Sequence, residues 1–367
     1  MIKRRVAVIG CGVVGAMIAY ELSQLPALDV LVFDPQQAPA LGSTGAALGV
    51  LMGIISHKVK GRNWRLRETS IVRYRTLIPE LEAQLGCSIP FNQQGILSLC
   101  FDAEQLPRWE ALQAKRRTQN WPLEIWSPQQ LHSRCPHIQT DHLQAAIYSP
   151  QDGQIHPVEL TRALVEAAQQ NGATFHWQTG VQGFTPQGTC KQLQTTAGDI
   201  AVDQVILSAG LGSAELSQGA GASIPMIPVL GQAMTVRFPE PLGDPAFQPV
   251  INGEDIHLVP LGEGLYWIGA TVEFPPEAGV QSFDELEPKA ELLEAVRQGA
   301  IAYCPALATA DVINTWIGFR PRPQGQAAPV IQPLAGYSNV TVATGHYRNG
   351  VLLAPATASM VRDMILG

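Results

Sequence analysis

Three glycines near the amino terminus, Gly10, Gly12 and Gly15, are spaced G-x-G-x-x-G, and Asp34 follows 19 residues after the last of them. That spacing suits phosphate chemistry. Gly10 permits a tight turn, Gly12 lets backbone approach a pyrophosphate, and Gly15 lets a helix lie close to a strand. A helix beginning here turns its unpaired N–H groups and positive dipole end toward phosphates. A carboxylate at Asp34 can accept hydrogen bonds from ribose hydroxyls. Pro35, Gln36 and Gln37 behind it offer no arginine to a 2′-phosphate, so NADP is not expected. The opposing reading is a glycine-rich turn that binds nothing.

The elements that must hold these residues are legible around them. "RRVAVIG" is a short β-branched run of the kind buried on both faces of a sheet. Val14, Met17, Ile18 and Leu22 then recur at helical spacing, and "DVLVFD" gives a second buried strand ending in Asp34. Strand, glycine turn, helix and acid-tipped strand together make the dinucleotide fingerprint. The same stretch mimics an export signal, with Lys3, Arg4 and Arg5 ahead of an apolar run and "VIGC" ending at Cys11. A signal needs ~7–15 apolar residues before cleavage, and only Val6 to Ile9 precede Cys11. A membrane span needs ~18–20, and the run stops at Glu21.

The 367 residues are 15% charged and 46% apolar, which allows a large core and two domains. A net charge of −7 leaves no basic stripe for nucleic acid; the basic cluster from Ser56 to Arg67 reads as a solvated helix start. A soluble, cytoplasmic protein is expected, without a membrane partner. Six scattered cysteines contain no C-x-x-C. His132, Cys135 and His137, with His142 nearby, offer zinc-like spacing, but Pro136 points to a turn, and no metal is expected.

Along the chain the nucleotide domain reads as interrupted: 1–86, 141–222 and 312–367 form it, and 87–140 with 223–311 form a second domain. A long helix closes at Gly86, "PVELTRALVEAAQQNG" is a helix with Pro157 in its first turn, and a β-meander leads to the strand "VDQVILSAG". Between Ile224 and Ala310 the period falls to two, as in an antiparallel sheet with one face on a core and one on a ligand. "NVTVATG" and "GVLLAPATASMVRDMIL" supply a last strand and a closing helix. The expected class is α/β, a Rossmann-like nucleotide domain of parallel sheet plus meander beside a smaller α+β domain on an antiparallel sheet.

In order and spacing, the glycine fingerprint, "STGAALGVL", "DGQIHPVEL", "VILSAG", "WIGFRP" and "GHYRNGVLLAPAT" resemble the D-amino-acid-oxidase superfamily of flavoenzymes. The last motif is most similar to the glycine oxidases of thiamine biosynthesis. The resemblance runs from Val6 to Met364 and implies noncovalent FAD, since no cysteine in the C-terminal motifs resembles a flavin-linking one. It implies pyrophosphate contacts at Gly10, Gly12, Val13, Val14 and Gly15, and ribose at Asp34, where the family more often has glutamate. Thr44, Ala46, Ala47, Gly49 and Leu51 would run beneath the cofactor, with Ala209 and Gly210 at a strand end beside it. At the flavin ring the resemblance implies His346, Tyr347, Arg348, Asn349, Gly350, Val351 and Leu352, a turn and helix start whose N–H groups can stabilise negative charge.

Arg320 resembles the arginine that clamps the substrate carboxylate, and a guanidinium fork suits a carboxylate; its other reading is a structural ion pair. Arg348 is either a flavin- or substrate-side cation or a surface ion-pair former. His257 falls where glycine oxidases usually carry an active-site tyrosine; it is a hydrogen-bond donor there or a satisfied strand histidine. Leu261 replaces a frequent arginine, Val272 a methionine of some relatives, and "QGQAAPVIQP" lacks a frequent acid. The implied reaction is oxidative deamination of a small amino acid or amine, glycine first, with sarcosine or small D-amino acids beside it. Hydride passes to flavin N5, and dioxygen then yields hydrogen peroxide. Alternatives are a D-amino-acid dehydrogenase using a quinone and a non-catalytic flavin-binding subunit. A homo-oligomer is compatible with either.

Overall fold

The computed structural model describes residues 3–184, 188–276 and 286–367. The few positions of the expected domain ranges outside these are not described. Six strands form one sheet in the order Val330–Pro333, Val340–Thr344, Gln204–Leu207, Arg4–Ile9, Leu28–Phe33, Thr174–His176. All neighbours are parallel except the first pair, which is an antiparallel hairpin at the edge. Val6, Ala7 and Val8 of the strand Arg4–Ile9, which is paired on both sides, are fully buried, as the β-branched run demands. One face is covered by three helices, Val13–Ser23, Pro157–Gln170 and Gly350–Leu366, which share a single apolar cluster with the long helix Gly61–Leu85. Gly86 ends that long helix in the left-handed conformation, φ 67°. The meander of Val181–Phe184, Gln192–Thr195 and Gly198–Ala201 is antiparallel throughout.

A second sheet of eight strands holds the residues of period two. Its order is Asp311–Pro323, Met226–Arg237, Leu265–Gly269, Ile256–Gly262, Val250–Gly253, Ile96–Cys100, Ala145–Ser149, Glu124–Trp126. It is antiparallel but for one pair, Val250–Gly253 with Ile96–Cys100. Those two strands are joined by a long excursion rather than a hairpin, so nothing forces opposite directions. The 13-residue strand Asp311–Pro323, at one edge, was not legible as a strand: Val312, Ile313 and Ile317 are exposed, so no buried apolar run marks it. Helices Pro128–Arg134 and Ala290–Tyr303 pack their apolar residues with Leu97, Leu99, Ile251, Leu258 and Ile268 on one face of this sheet. The opposite face meets the segment Leu48–Ile55 and the helix Leu106–Thr118. No helix among the described residues is long and apolar enough to cross a membrane.

Candidate active site

The glycine turn is closed by backbone. Gly10 has φ 96°, a conformation that favours glycine, and a Cβ there would lie 2.8 Å from Ala209 Cα. A Cβ on Gly15 would strike the Gly10 carbonyl and the Ser208 hydroxyl, so helix and strand can touch only with glycine at that position. Ser208 Oγ donates to the Ile9 carbonyl at 2.9 Å, tying the end of Gln204–Leu207 to the end of the first strand. Ala209 and Gly210 follow at once, and Gly210 adopts φ 58°.

Opposite them lies the segment that carries Thr44. Its buried hydroxyl accepts from the Val13 N–H at 3.0 Å, capping the opening helix from outside because Gly12 has no side chain. A Cβ on Gly12 would sit 3.1 Å from that hydroxyl. The first-turn N–H groups of Val14 and Gly15 have no partner among the described residues. Asp34 stands at the tip of its strand, and its carboxylate accepts from Cys11 N at 2.6 Å and Gln36 N at 2.9 Å. Each oxygen thus retains acceptor capacity.

From Thr44 the chain threads between the two sheets. Ala46 carbonyl accepts from Trp316 Nε1 at 3.1 Å, and the Ala46 methyl fills the space over Gly318. Ala47 donates to the Thr44 carbonyl at 3.2 Å. Gly49, φ 70°, presses on the Ile155 carbonyl, and Leu51 is buried, its two-residue strand paired with Gly153–Ile155.

Arg320 lies on the edge strand, four residues from Trp316 and on its face. Its Nη1 donates to the carbonyls of Leu230 at 3.2 Å and Thr271 at 3.0 Å. The guanidinium lies over Gly231, where an added Cβ would be 2.6 Å from Cζ. Among the described residues no ion pair uses Arg320. Burial and then the like charge of Arg348 lower its pKa, while Tyr347 and Glu273 oppose them. His257 lies within the field of both arginines. Burial, then Arg348, push its pKa down to about 4 against the pull of Asp255, with Arg320 adding to the fall, so the ring is neutral at pH 7. Its Nδ1 is buried and has no hydrogen-bond partner among the described residues. Arg348 donates to Asp255 Oδ2 at 3.3 Å in a solvent-exposed pair. Asp255 and Glu254, both with positive φ, turn the hairpin whose next strand holds His257. Arg320, His257 and Arg348 are therefore brought together.

The remaining C-terminal residues frame the start of the closing helix. The His346 ring turns inward to Thr357 Oγ1 at 2.9 Å, so outward it presents backbone. Tyr347, φ 54°, stands beside Arg322, Asn349 Oδ1 accepts from Arg67 at 3.2 Å, and Gly350 begins the helix. Tyr74 hydroxyl donates to the Val351 carbonyl at 2.5 Å, and Leu352 is core. No side chain caps this helix, and no acid stands in its first turn.

Sequence reasoning missed Gly231, Trp316, Thr271 and Glu273. Gly231 carried a signal, a glycine in the middle of an apolar strand, which marks a close approach. Thr271 hydroxyl donates at 2.5 Å to the buried Glu273 carboxylate, which also accepts from Gln232 Nε2 at 2.9 Å. This network backs the carbonyl that Arg320 uses. Away from the site, Cys135 is buried, and no group of three or more metal-ligating side chains stands together among the described residues.

The chain belongs to the FAD dependent oxidoreductase family, whose model matches residues 5–364. It is 27% identical to the glycine oxidase of Geobacillus kaustophilus, over 98% of this chain and 92% of that protein. A solved structure of glycine oxidase from Geobacillus kaustophilus superposes with a TM-score of 0.87 at 26% identity, covering 99% of this chain and 95% of the other. The bifunctional protein ThiO/ThiG of Nostoc sp. is 30% identical over 99% of this chain but 53% of its own length, so the chain spans about half of that relative. FAD is the family's cofactor, and the residues fit it. The Gly12 position is open only because it lacks a Cβ, and the two amides of the opening helix left unpaired among the described residues suit an anion such as a pyrophosphate.

Proposed function

We propose that the protein oxidises the amine of a small amino acid, with glycine as the first candidate. The product imino acid hydrolyses to a 2-oxo acid and ammonia, and dioxygen is the final acceptor, giving hydrogen peroxide. The observation that carries this reading is the state of Arg320. It is a largely buried cation, on the face that Trp316 turns to Ala46, with no ion-pair partner among the described residues. A largely buried cation with no direct ion pair suits an anionic ligand; Glu273, the carboxylate in its field, is already engaged by Thr271 and Gln232.

The two backbone carbonyls occupy both N–H bonds of Nη1, leaving the side-on fork of Nε and Nη2 for a carboxylate. A fork held in this way fixes the substrate's orientation before reaction. The charges of Arg320 and Arg348 disfavour an ammonium beside them, so the neutral amine that oxidation requires is the form the site favours. His257, neutral at pH 7, adds hydrogen bonding without a third positive charge. In this proposal Gly10, Gly12, Gly15 and Thr44 hold the pyrophosphate and Asp34 the ribose. Ala46 to Leu51, Ala209–Gly210 and His346 to Leu352 frame the rest of FAD, noncovalently. Bound FAD supplies the hydride acceptor and passes the electrons on. The six-stranded sheet serves the cofactor and the eight-stranded sheet the substrate; on this reading Asp311–Pro323 and Ala145–Ser149, expected within the nucleotide ranges 312–367 and 141–222, are counted on the substrate side because they pair with Met226–Arg237 and Ile96–Cys100. A cytoplasmic role in thiamine synthesis belongs to the same proposal.

The test is a visible spectrum of the purified protein under anaerobic conditions as glycine is added. Bleaching of the flavin band, and its return with peroxide when air is admitted, is the expected result. A yellow protein that no small amino acid bleaches would sink the activity; one that bleaches but does not recover in air would sink dioxygen as acceptor.

A further inference from the structure

Two polar atoms beside the site have no partner among the described residues. His257 Nδ1 and Asn252 Oδ1 are both buried and unbonded among the described residues. They are neighbours by register, for Asn252 faces His257 across the hairpin and Ser98 across the parallel pair. Residues directly opposite in a ladder share a face, with Cβ atoms about 4.5–5.5 Å apart. Asn252 Nδ2 donates to Ser98 Oγ at 3.3 Å, which leaves Oδ1 as the free end of the amide. The same rung continues through Gly269 and Ala233 to Trp316, on the strand and face of Arg320. Asn252 therefore sits one strand beyond His257 as seen from Arg320.

Buried polar atoms in native proteins are nearly always satisfied, and each exception calls for a group that answers it. Glycine held at Arg320 has no atom to send past His257. A hydroxyl answers both atoms at once. Its O–H donates to Asn252 Oδ1, while its oxygen accepts from His257 Nδ1–H in that neutral tautomer. An apolar substituent of the same size would leave both atoms unpaired, and a site built on hydrogen bonds discriminates strongly against such an analogue.

Resting on the amino-acid-oxidase reading above, we propose that Asn252 and His257 form a subsite for a hydroxyl on the substrate's substituent. The preferred substrates are then hydroxyl-bearing small amino acids.

The experiment compares kcat/KM for D-serine and the nearly isosteric D-2-aminobutyrate on the same flavin-loaded preparation, so that any inactive fraction cancels in the ratio. The wild-type ratio is expected to favour D-serine by roughly tenfold or more. Asn252→Leu should bring it close to one, and Ser98→Ala, which frees the amide, should give an intermediate value. A wild-type ratio at or below one, or a ratio unchanged in Asn252→Leu, overturns the subsite while glycine turnover still upholds the activity. No oxidation of glycine or of either probe overturns the activity, and the subsite falls with it.

Discussion

Gly231→Ala gives a direct test of the carboxylate clamp, because it replaces no residue proposed to meet the substrate and acts only by displacing the Arg320 guanidinium. The added Cβ would lie 2.6 Å from Arg320 Cζ, well inside van der Waals contact. The obstacle is the far end of a flexible side chain, so the guanidinium can swing away while the backbone stays. In doing so it gives up its bonds to the Leu230 and Thr271 carbonyls and the fixed direction of the Nε/Nη2 fork. Hydrogen bonds to charged groups are worth about 1.5–3 kcal/mol each. Losing aim rather than charge should therefore cost about 2–3 kcal/mol in transition-state binding, or roughly 30- to 150-fold in kcat/KM. The assay is steady-state peroxide release with glycine, alongside flavin content and thermal unfolding. Unchanged flavin content, a melting temperature within a few degrees and the stated loss in kcat/KM are expected. Full activity in a folded, flavin-loaded variant would refute the assignment of Arg320, since a displaced guanidinium cannot clamp. A large fall in stability with kcat/KM intact would instead identify Arg320 as structural.

Other outcomes follow from neighbouring contacts. Arg320→Lys keeps the charge but loses the side-on fork, so kcat/KM for glycine should fall by about 10²-fold; a change below threefold would count against bidentate binding. Thr44→Val leaves the Val13 N–H without its acceptor and should lower stability by about 1 kcal/mol, with weaker FAD retention on gel filtration. Tyr74→Phe removes the bond to the Val351 carbonyl and should cost about 1–2 kcal/mol, read by denaturant midpoint. His346 is buried and its pKa is depressed to about 3, chiefly by burial and then by Arg62. Its folded value lies below the ordinary 6.5, so the unfolded chain binds its proton first and stability falls as pH drops from about 6.5 toward 3. His346→Gln should remove close to one proton from the uptake on unfolding at pH 5, measured from the pH dependence of denaturant unfolding; an unchanged slope would contradict the buried neutral ring.

What could be read in the sequence was whatever depends on near neighbours. The first strand, the glycine turn, the helix and Asp34 all lie between Arg4 and Asp34, and each piece carries its own local mark, an apolar run, a helical period or a turn residue. The long helix ending at Gly86 and the helix beginning at Pro157 were legible for the same reason. The edge strand Asp311–Pro323 was not, because strands are recognised by burial on at least one face, and here the apolar side chains Val312, Ile313 and Ile317 stand exposed.

The substrate side is harder for a different reason. Its geometry is a property of register between segments far apart in the chain: Trp316, Ala233, Gly269, His257, Asn252 and Ser98 form one rung, yet they span more than 200 residues. A slip of one residue in any pairing would turn that strand's side chains to the other face. Arg320 and His257 could be named from resemblance, but the resemblance does not carry the reasons they are held where they are. Those reasons are a missing Cβ at Gly231, two backbone carbonyls on Nη1, and a hairpin tip that brings Asp255 to Arg348. Such features have weak individual signatures because glycine, a carbonyl and a turn occur everywhere. They acquire meaning only when the sheet sets them against one guanidinium, so substrate choice in this fold can change through Gly231 or Asn252 while every recognisable motif stays the same.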